Sequence, residues 1–346
     1  MAMAARTTTP LRGWLPRAAE RWPAAPALVC AEARFDYAQL WQAVEARAAA
    51  LGAAGLQRGE RIALAAERCA ETLIDLLAAI ELGLCYVPLD PGYPDARLAA
   101  MLEDAAPRAV LGRESDLLSL EARLGPLPRL DAMQAHTRPH AGEGELTYVL
   151  FTSGSTGRPK GVAMGPRPLA HLIDWHAAHP RLGQPAVTAL FAPLSFDVHF
   201  QEILSTIATG GCMVLLSEAE RRDPEALRAA LVREGVQRLF LPYVALQMLA
   251  EACVEATPPP LRDVVSAGEQ LQVTDSIRRL FARLPGSALH NHYGPTESHV
   301  VTAFELEGDP ALWPSIPPIG RALPHVRIAL GPLEDATASE EGELLL

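Results

Sequence analysis

An α/β protein built on largely parallel sheets is the fold class this 346-residue sequence predicts. Three observations carry the prediction. Short β-prone runs alternate with segments of helical periodicity, the pattern of strands joined by crossover helices. The alternation comes in two series, separated by a Pro-rich, polar connector at 124–145 (LGPLPRLDAMQAHTRPHAGEGE). Several strand-like runs also end in Gly-, Ser- and Thr-rich or Gly-Pro text, at the place where open parallel sheets bind ligands.

Taken in order, residues 35–51 carry Leu40, Val44, Ala48 and Leu51 at helical spacing, closed by Gly52. Residues 61–66 read as a strand. Residues 71–82 form an apolar helix ended by Gly83, and 85–89 a strand cut off by the turn text DPGYP. A helix at 94–105 and a strand at 108–111 complete the first series. The second opens with a strand at 149–151 and continues through a helix at 166–176, a strand at 187–192 and a helix at 196–209. A strand at 213–216 follows, then a helix at 223–234 with Asp223 as cap and Pro224 at its first position. Strands at 239–241, 264–266 and 288–292 follow, with a helix from Val244. Beyond 307 the text turns Pro-rich, then β-like at 326–330 and 343–346. In a single parallel sheet, the ends at 152–160, 266–268 and 291–297 would share one edge and line one pocket.

Composition excludes several classes. Hydrophobic residues are 49% and charged residues 21%, and the net charge is −11. No basic run or basic–aromatic interleaving is present, so nucleic acid is not an expected partner. The apolar stretch 72–89 is broken by Asp75 and Glu81, so no membrane span is expected. Cys30, Cys69, Cys85, Cys212 and Cys253 are scattered, with no CxxC pair. They read as reduced core residues of a cytoplasmic protein, forming neither a disulfide frame nor a zinc site.

The chemistry concentrates in three motifs. LTYVLFTSGSTGRPKGV (146–162) runs from a β-prone strand into small hydroxylated residues, a loop whose amides and hydroxyls can surround an anion. It lacks the P-loop spacing, because Gly154 and Gly157 are two residues apart and Lys160 lies three further on. A flexible surface linker is the plainer reading. NHYGPTE (291–297) places an aromatic that can stack on a base, a hydroxyl that can bond phosphate and a carboxylate that can hold magnesium. A polar turn after a strand would look similar. SFDVHFQEIL (195–204) sets Asp197 among apolar residues, as a helix cap or as an anchor for an ammonium group. His292 reads as a strand histidine, since no nucleophile–base pair stands beside it.

These three motifs, with IELGLCYVPLDPGYP (80–94) and EGELLL (341–346), resemble in order and spacing the core motifs of nonribosomal peptide synthetase adenylation domains. Those domains belong to the adenylate-forming ligase superfamily. The resemblance implies two stacked α/β subdomains, layered αβαβα, at 1–145 and 146–306, and the start of a small β-barrel at 307–346. It implies ATP-dependent amino-acid activation, with ATP and Mg²⁺ as cofactors, and transfer to the phosphopantetheine thiol of a peptidyl carrier protein. It places Thr152, Ser153, Gly154, Ser155, Thr156, Gly157 and Lys160 at the pyrophosphate, Thr296 at the α-phosphate and Glu297 at magnesium. Gly268, Asn291 and Tyr293 then surround adenine, and Asp197 binds the substrate α-amino group. The side-chain pocket becomes Asp197, Val198, Gln201, Phe240, Val265, Ala267, His292, Val300 and Val301. That set is compact and mostly apolar, and resembles the pattern associated with proline. Pipecolate or a modified proline also fits, since one methylene discriminates by only ~1–3 kcal/mol.

The family continues into a mobile C-terminal lobe that carries a catalytic lysine, so the end at Leu346 implies a core lacking that lobe, with weak adenylation. An acyl- or aryl-CoA ligase of the same superfamily is the alternative activity, and a carboxylate at Asp197 would serve no purpose there. A non-catalytic binding fragment is the third reading, against which the intact Thr/Ser loop, Lys160 and Glu297 stand.

Overall fold

A computed structural model of the chain describes residues 11–132, 146–152, 158–331 and 343–345. Two sheets organise them. The larger has nine strands: Arg321–Ala322, Thr302–Leu306, Ala288–Tyr293, Asp263–Ser266, Arg238–Leu241, Val187–Leu190, Cys212–Leu215, Pro26–Val29 and Arg34–Asp36, in that spatial order. The five neighbouring pairs from Ala288–Tyr293 to Pro26–Val29 are parallel, and both edges turn antiparallel. The smaller sheet has the order Val110–Leu111, Arg61–Ala65, Cys85–Leu89, Tyr148–Thr152, Lys160–Met164, of which the last pair is antiparallel.

Apolar cores glue five layers. Helices Asp95–Ala105 and Glu114–Leu124 cover one face of the small sheet through Leu98, Met101, Leu117 and Leu120. Helices Tyr37–Ala53, Ala70–Leu82 and Val198–Thr209 lie between the sheets. Their Leu40, Leu76, Phe200 and Ile203 pack with Ile62 and Tyr148 of one sheet and Leu28 and Met213 of the other. Helices Pro224–Arg233, Tyr243–Ala252 and Asp275–Ala282 cover the outer face of the large sheet. This αβαβα order is the one expected.

Local chemistry sets the element ends. Asp36 and Gln39 form a capping box, so the helix expected from residue 35 starts at Tyr37 and leaves 34–36 free to pair as a strand. Asp223 accepts the Ala226 N–H at 2.7 Å, with Pro224 at the first position. Gly83 and Gly210 close their helices at φ 72.

Three expectations change. The boundary at 145/146 does not divide the sheets: Tyr148–Thr152 pairs with Cys85–Leu89, while Pro26–Val29 inserts beside Cys212–Leu215. Parallel neighbours need not be close in sequence, so text alone misplaces such exchanges. Consequently the strand ends at 152, 266 and 293 do not share one edge; the first belongs to the small sheet and the other two to the large one. Within 307–346, Arg321–Ala322 extends the large sheet, whereas Ala329–Gly331 and Glu343–Leu345 form a separate antiparallel pair. Helices Trp14–Arg21, Glu114–Leu124 and Asp275–Ala282 and strands Lys160–Met164 and Thr302–Leu306 are additional to those expected.

Candidate active site

A cavity of about 550 Å³ opens beyond the carboxyl ends of the central strands of the large sheet. It lies where parallel sheets expose backbone and loops rather than packed side chains. Of the residues singled out in the sequence it brings together Asp197, Val198, Gln201, Phe240, Val265, Ala267, Gly268, His292, Thr296 and Val300. Phe240 and Val265 come from adjacent strands in register, Asp197 stands at the start of a helix, and Thr296 and Val300 come from a hairpin loop.

That loop, 294–301, joins antiparallel strands Ala288–Tyr293 and Thr302–Leu306 and is folded tightly on itself. Val301 N–H donates to the Tyr293 carbonyl at 2.8 Å and Ser298 N–H to the Pro295 carbonyl at 3.0 Å. A Cβ on Gly294 would stand 1.7 Å from the His299 carbonyl oxygen, so only glycine fits. His299 itself has φ 60, uncommon for a residue with a Cβ.

Asp197 holds the N-cap position of helix Val198–Thr209, yet its side chain makes no capping hydrogen bond. Among the described residues no lysine or arginine pairs with it. Burial pushes its carboxyl up to about 6, partly offset by the amides of Val198 and Asp197, and the charge of Glu297 raises it further. A buried carboxylate without a cation is costly, and a cationic ligand removes the cost.

The side-chain wall is apolar. Phe240, Val265 and Leu182 form a buried cluster backed by Trp175 and Val198. Its polar members are neutral. The Gln201 amide lies 3.3 Å from His176 Nδ1. Burial drives His292 and His176 well below the usual histidine range, and neither ring nitrogen of His292 has a hydrogen-bond partner among the described residues.

Other predicted residues lie elsewhere. Ser153, Gly154, Ser155, Thr156 and Gly157 fall outside the described residues. Thr152 and Lys160 face each other as the terminal pair of the small sheet's hairpin, with Lys160 exposed. Asn291 turns its amide to the Pro318 carbonyl at 3.0 Å. Tyr293 is exposed and Val301 buried, and neither lines the cavity. Glu297 is exposed on the hairpin loop, close enough for its charge to act on Asp197. No cluster of three or more His, Cys, Asp or Glu side chains could hold a metal among the described residues. A single carboxylate suits magnesium that is bound mainly through ligand phosphates.

Residues 15–346 match the family model described as AMP-binding enzyme. The chain belongs to the AMP-binding enzyme family. It is similar to phosphinothricin tripeptide synthetase PhsB of Streptomyces viridochromogenes, at 36% identity over 89% of this chain and 26% of that protein. Against tyrocidine synthase 2 of Brevibacillus parabrevis, identity is 28% over 90% of this chain and 9% of that protein. The chain thus spans between about a tenth and a quarter of the length of these curated relatives. Its fold is similar to that of VinN, solved in complex with L-aspartate, with a TM-score of 0.80 at 24% identity over 98% of this chain and 88% of that one. The nonribosomal peptide synthetase FmoA3 gives 0.79 at 25% identity over 93% of this chain and 35% of that one.

As an AMP-binding enzyme, the chain has polar residues near the site to which the motifs gave no role. Glu202, fully buried, accepts the N–H groups of Phe191 and Ala192 at 3.1 Å each and fixes a loop lining the cavity. Burial raises its carboxyl to about 8, against those amides and Arg68. Arg68 reaches across from the small sheet to the carbonyls of Leu190, Ala192 and Leu216. Two tyrosines do the same for histidines, each at 2.6 Å: Tyr86 with His199 Nε2 and Tyr148 with His299 Nε2. The signal that could have found them is a buried polar residue on an otherwise apolar strand or helix, which must have a partner.

No helix among the described residues is long and apolar enough to cross a membrane.

Proposed function

We propose that this chain activates a proline-like amino acid by adenylation and hands it to the phosphopantetheine thiol of a peptidyl carrier protein. One observation carries the reading: Asp197, a partly buried carboxylate lacking a lysine or arginine partner among the described residues, faces the same cavity as a compact apolar wall. An α-ammonium group supplies the missing cation. Phe240, Val265, Ala267 and Val300 then enclose a small aliphatic ring, while the charged residues elsewhere on the lining, Arg221 and Glu269, are engaged with Glu218 and the Val244 N–H.

In this reading the substrate carboxylate oxygen attacks the α-phosphorus of ATP, forming the acyl–phosphate bond as the bond to pyrophosphate breaks. Thr296 donates to the α-phosphate. Thr152, Ser153–Gly157 and Lys160 accompany the leaving pyrophosphate, and Glu297 would hold magnesium, whose charge offsets that of the phosphates. Gly268, Asn291 and Tyr293 border the adenine. The protein contributes orientation and charge rather than covalent chemistry. Five free cysteines agree with a cytoplasmic setting. The pair Ala329–Gly331 and Glu343–Leu345, apart from the large sheet, would belong to a further β subdomain.

The two nitrogens of His292, unpartnered among the described residues, favour a second reading for the side chain, a proline carrying a hydroxyl. Exchange of labelled pyrophosphate into ATP, across the common amino acids with pipecolate and hydroxyproline, tests both. Proline or hydroxyproline leads if the reading holds; a bulky aromatic in first place overturns it. Equal exchange with the carboxylic acid lacking the amino group would favour an acyl- or aryl-CoA ligase.

A further inference from the structure

We propose that His299 is a positioning residue: held by Tyr148, it orients the Asp197 carboxylate toward the substrate ammonium. The inference rests on the ammonium reading of Asp197. No motif assigned His299 a role, yet four observations converge on it.

Its ring is buried and borders the cavity. Its backbone sits at φ 60, a conformation that loops keep when the surroundings demand it. The Tyr148 hydroxyl lies 2.6 Å from Nε2. On the other side, Nδ1 stands 3.8 Å from Asp197 Oδ2. That is beyond a direct hydrogen bond and near enough for an N–H dipole to bias the carboxylate's orientation.

The tautomer follows from the partners. Asp197 can only accept when ionised, so the ring proton belongs on Nδ1. The Tyr148 hydroxyl then donates to Nε2. Burial keeps the Tyr148 phenol protonated and drives His299 down to about 3, so the pair carries no charge of its own. The neighbouring pair repeats the arrangement: His199 Nδ1 faces the Phe196 carbonyl and Nε2 faces the Tyr86 hydroxyl. That pair fixes the backbone just before Asp197. The charged and titratable groups around Asp197 and His299 are Glu297, His199, Tyr148 and each other.

Tyr148 also starts the strand Tyr148–Thr152 that leads into the Thr/Ser/Gly stretch. Amino-acid anchor and phosphate-loop strand are therefore joined through one side chain.

The test compares binding of two non-hydrolysable probes by calorimetry, prolyl-sulfamoyl-adenosine and the cyclopentanecarbonyl analogue lacking the amino group. The wild type should prefer the amino probe by about 10–100-fold, the worth of a charge-assisted contact. His299→Leu should cut that preference about tenfold while leaving affinity for the other probe within about threefold. His299→Asn should retain the preference, because its amide can stand where Nδ1 stands and asparagine accepts positive φ. Tyr148→Phe, which keeps the ring packing, should lower the preference by about threefold and carries the test if His299→Leu does not fold. Equal loss on both probes, or equal behaviour of the Leu and Asn variants, overturns the proposal. Asp197→Ala separates the two levels: a preference that survives it removes the ammonium reading itself, while a preference lost there and kept in His299→Leu removes only the role of His299.

Discussion

Replacing Asp197 by asparagine should stabilise the free protein and disable ligand binding, two effects of opposite sign from one substitution. In the free wild type, burial raises the Asp197 carboxyl from the ordinary 3.8 to about 6. A carboxyl raised on folding stabilises the folded state below its unfolded pKa, and that contribution is lost as pH rises through the folded value. The loss across pH 4–6 approaches ~3 kcal/mol at ~1.4 kcal/mol per tenfold. Asparagine keeps the shape and has no charge to desolvate. The stability difference between variant and wild type should therefore be near zero at pH 4 and reach its plateau above pH 6. Thermal unfolding reads it as a melting point higher by roughly 4 °C at pH 7, at ~1.4 °C per kcal/mol for a chain of 346 residues. Other titrating groups are common to both proteins and cancel in the difference. Binding runs the other way: wild-type affinity for an aminoacyl-adenylate analogue should fall about tenfold per unit below pH 6, while the variant binds weakly at every pH. A variant that is no more stable at pH 7 than at pH 4, relative to wild type, refutes the claim that Asp197 is a partly desolvated charge awaiting a cation.

Further predictions follow from named contacts. Gly294→Ala should destabilise the protein by about 2–4 kcal/mol and abolish analogue binding, because the added Cβ collides with the His299 carbonyl; near-native melting would mean the loop is not folded as described. Glu202→Ala strands the Phe191 and Ala192 amides and should cost about 2–4 kcal/mol by denaturant titration, with Glu202→Gln recovering part of it. Glu297→Gln should leave stability unchanged, since the residue is exposed, and remove most magnesium dependence of ATP binding; undiminished dependence discards Glu297 as the metal residue. Phe240→Ala should shift preference from proline toward larger side chains by about 10–100-fold in relative affinity.

Local features of the fold were legible. Strand Cys85–Leu89 and helix Pro224–Arg233 lie where Gly83, the DPGYP turn and the Asp223-Pro224 cap put them. Of the residues expected in the side-chain pocket, Asp197, Val198, Gln201, Phe240, Val265, Ala267, His292 and Val300 border one cavity, whereas Val301 is buried outside it. Links made only in three dimensions were not. Tyr86 and His199 are 113 residues apart and Tyr148 and His299 are 151 apart, so no window of sequence contains either pair. The exchange of Pro26–Val29 into the large sheet, which the buried Tyr37 hydroxyl helps hold through the Gly211 carbonyl at 2.7 Å, is hidden for the same reason. Flanked by Pro159 and Gly161, Lys160 has the sequence context of a loop; pairing with Thr152 makes it the first residue of a strand.

The most direct measurement is a crystal structure of the chain with prolyl-sulfamoyl-adenosine. The account predicts the ammonium nitrogen at about 3 Å from the Asp197 carboxylate, a charge-assisted distance, with the ring against Phe240, Val265, Ala267 and Val300 and the sulfamoyl group beside Thr296. An amino group turned away from Asp197, or a ring lying outside that wall, would contradict it.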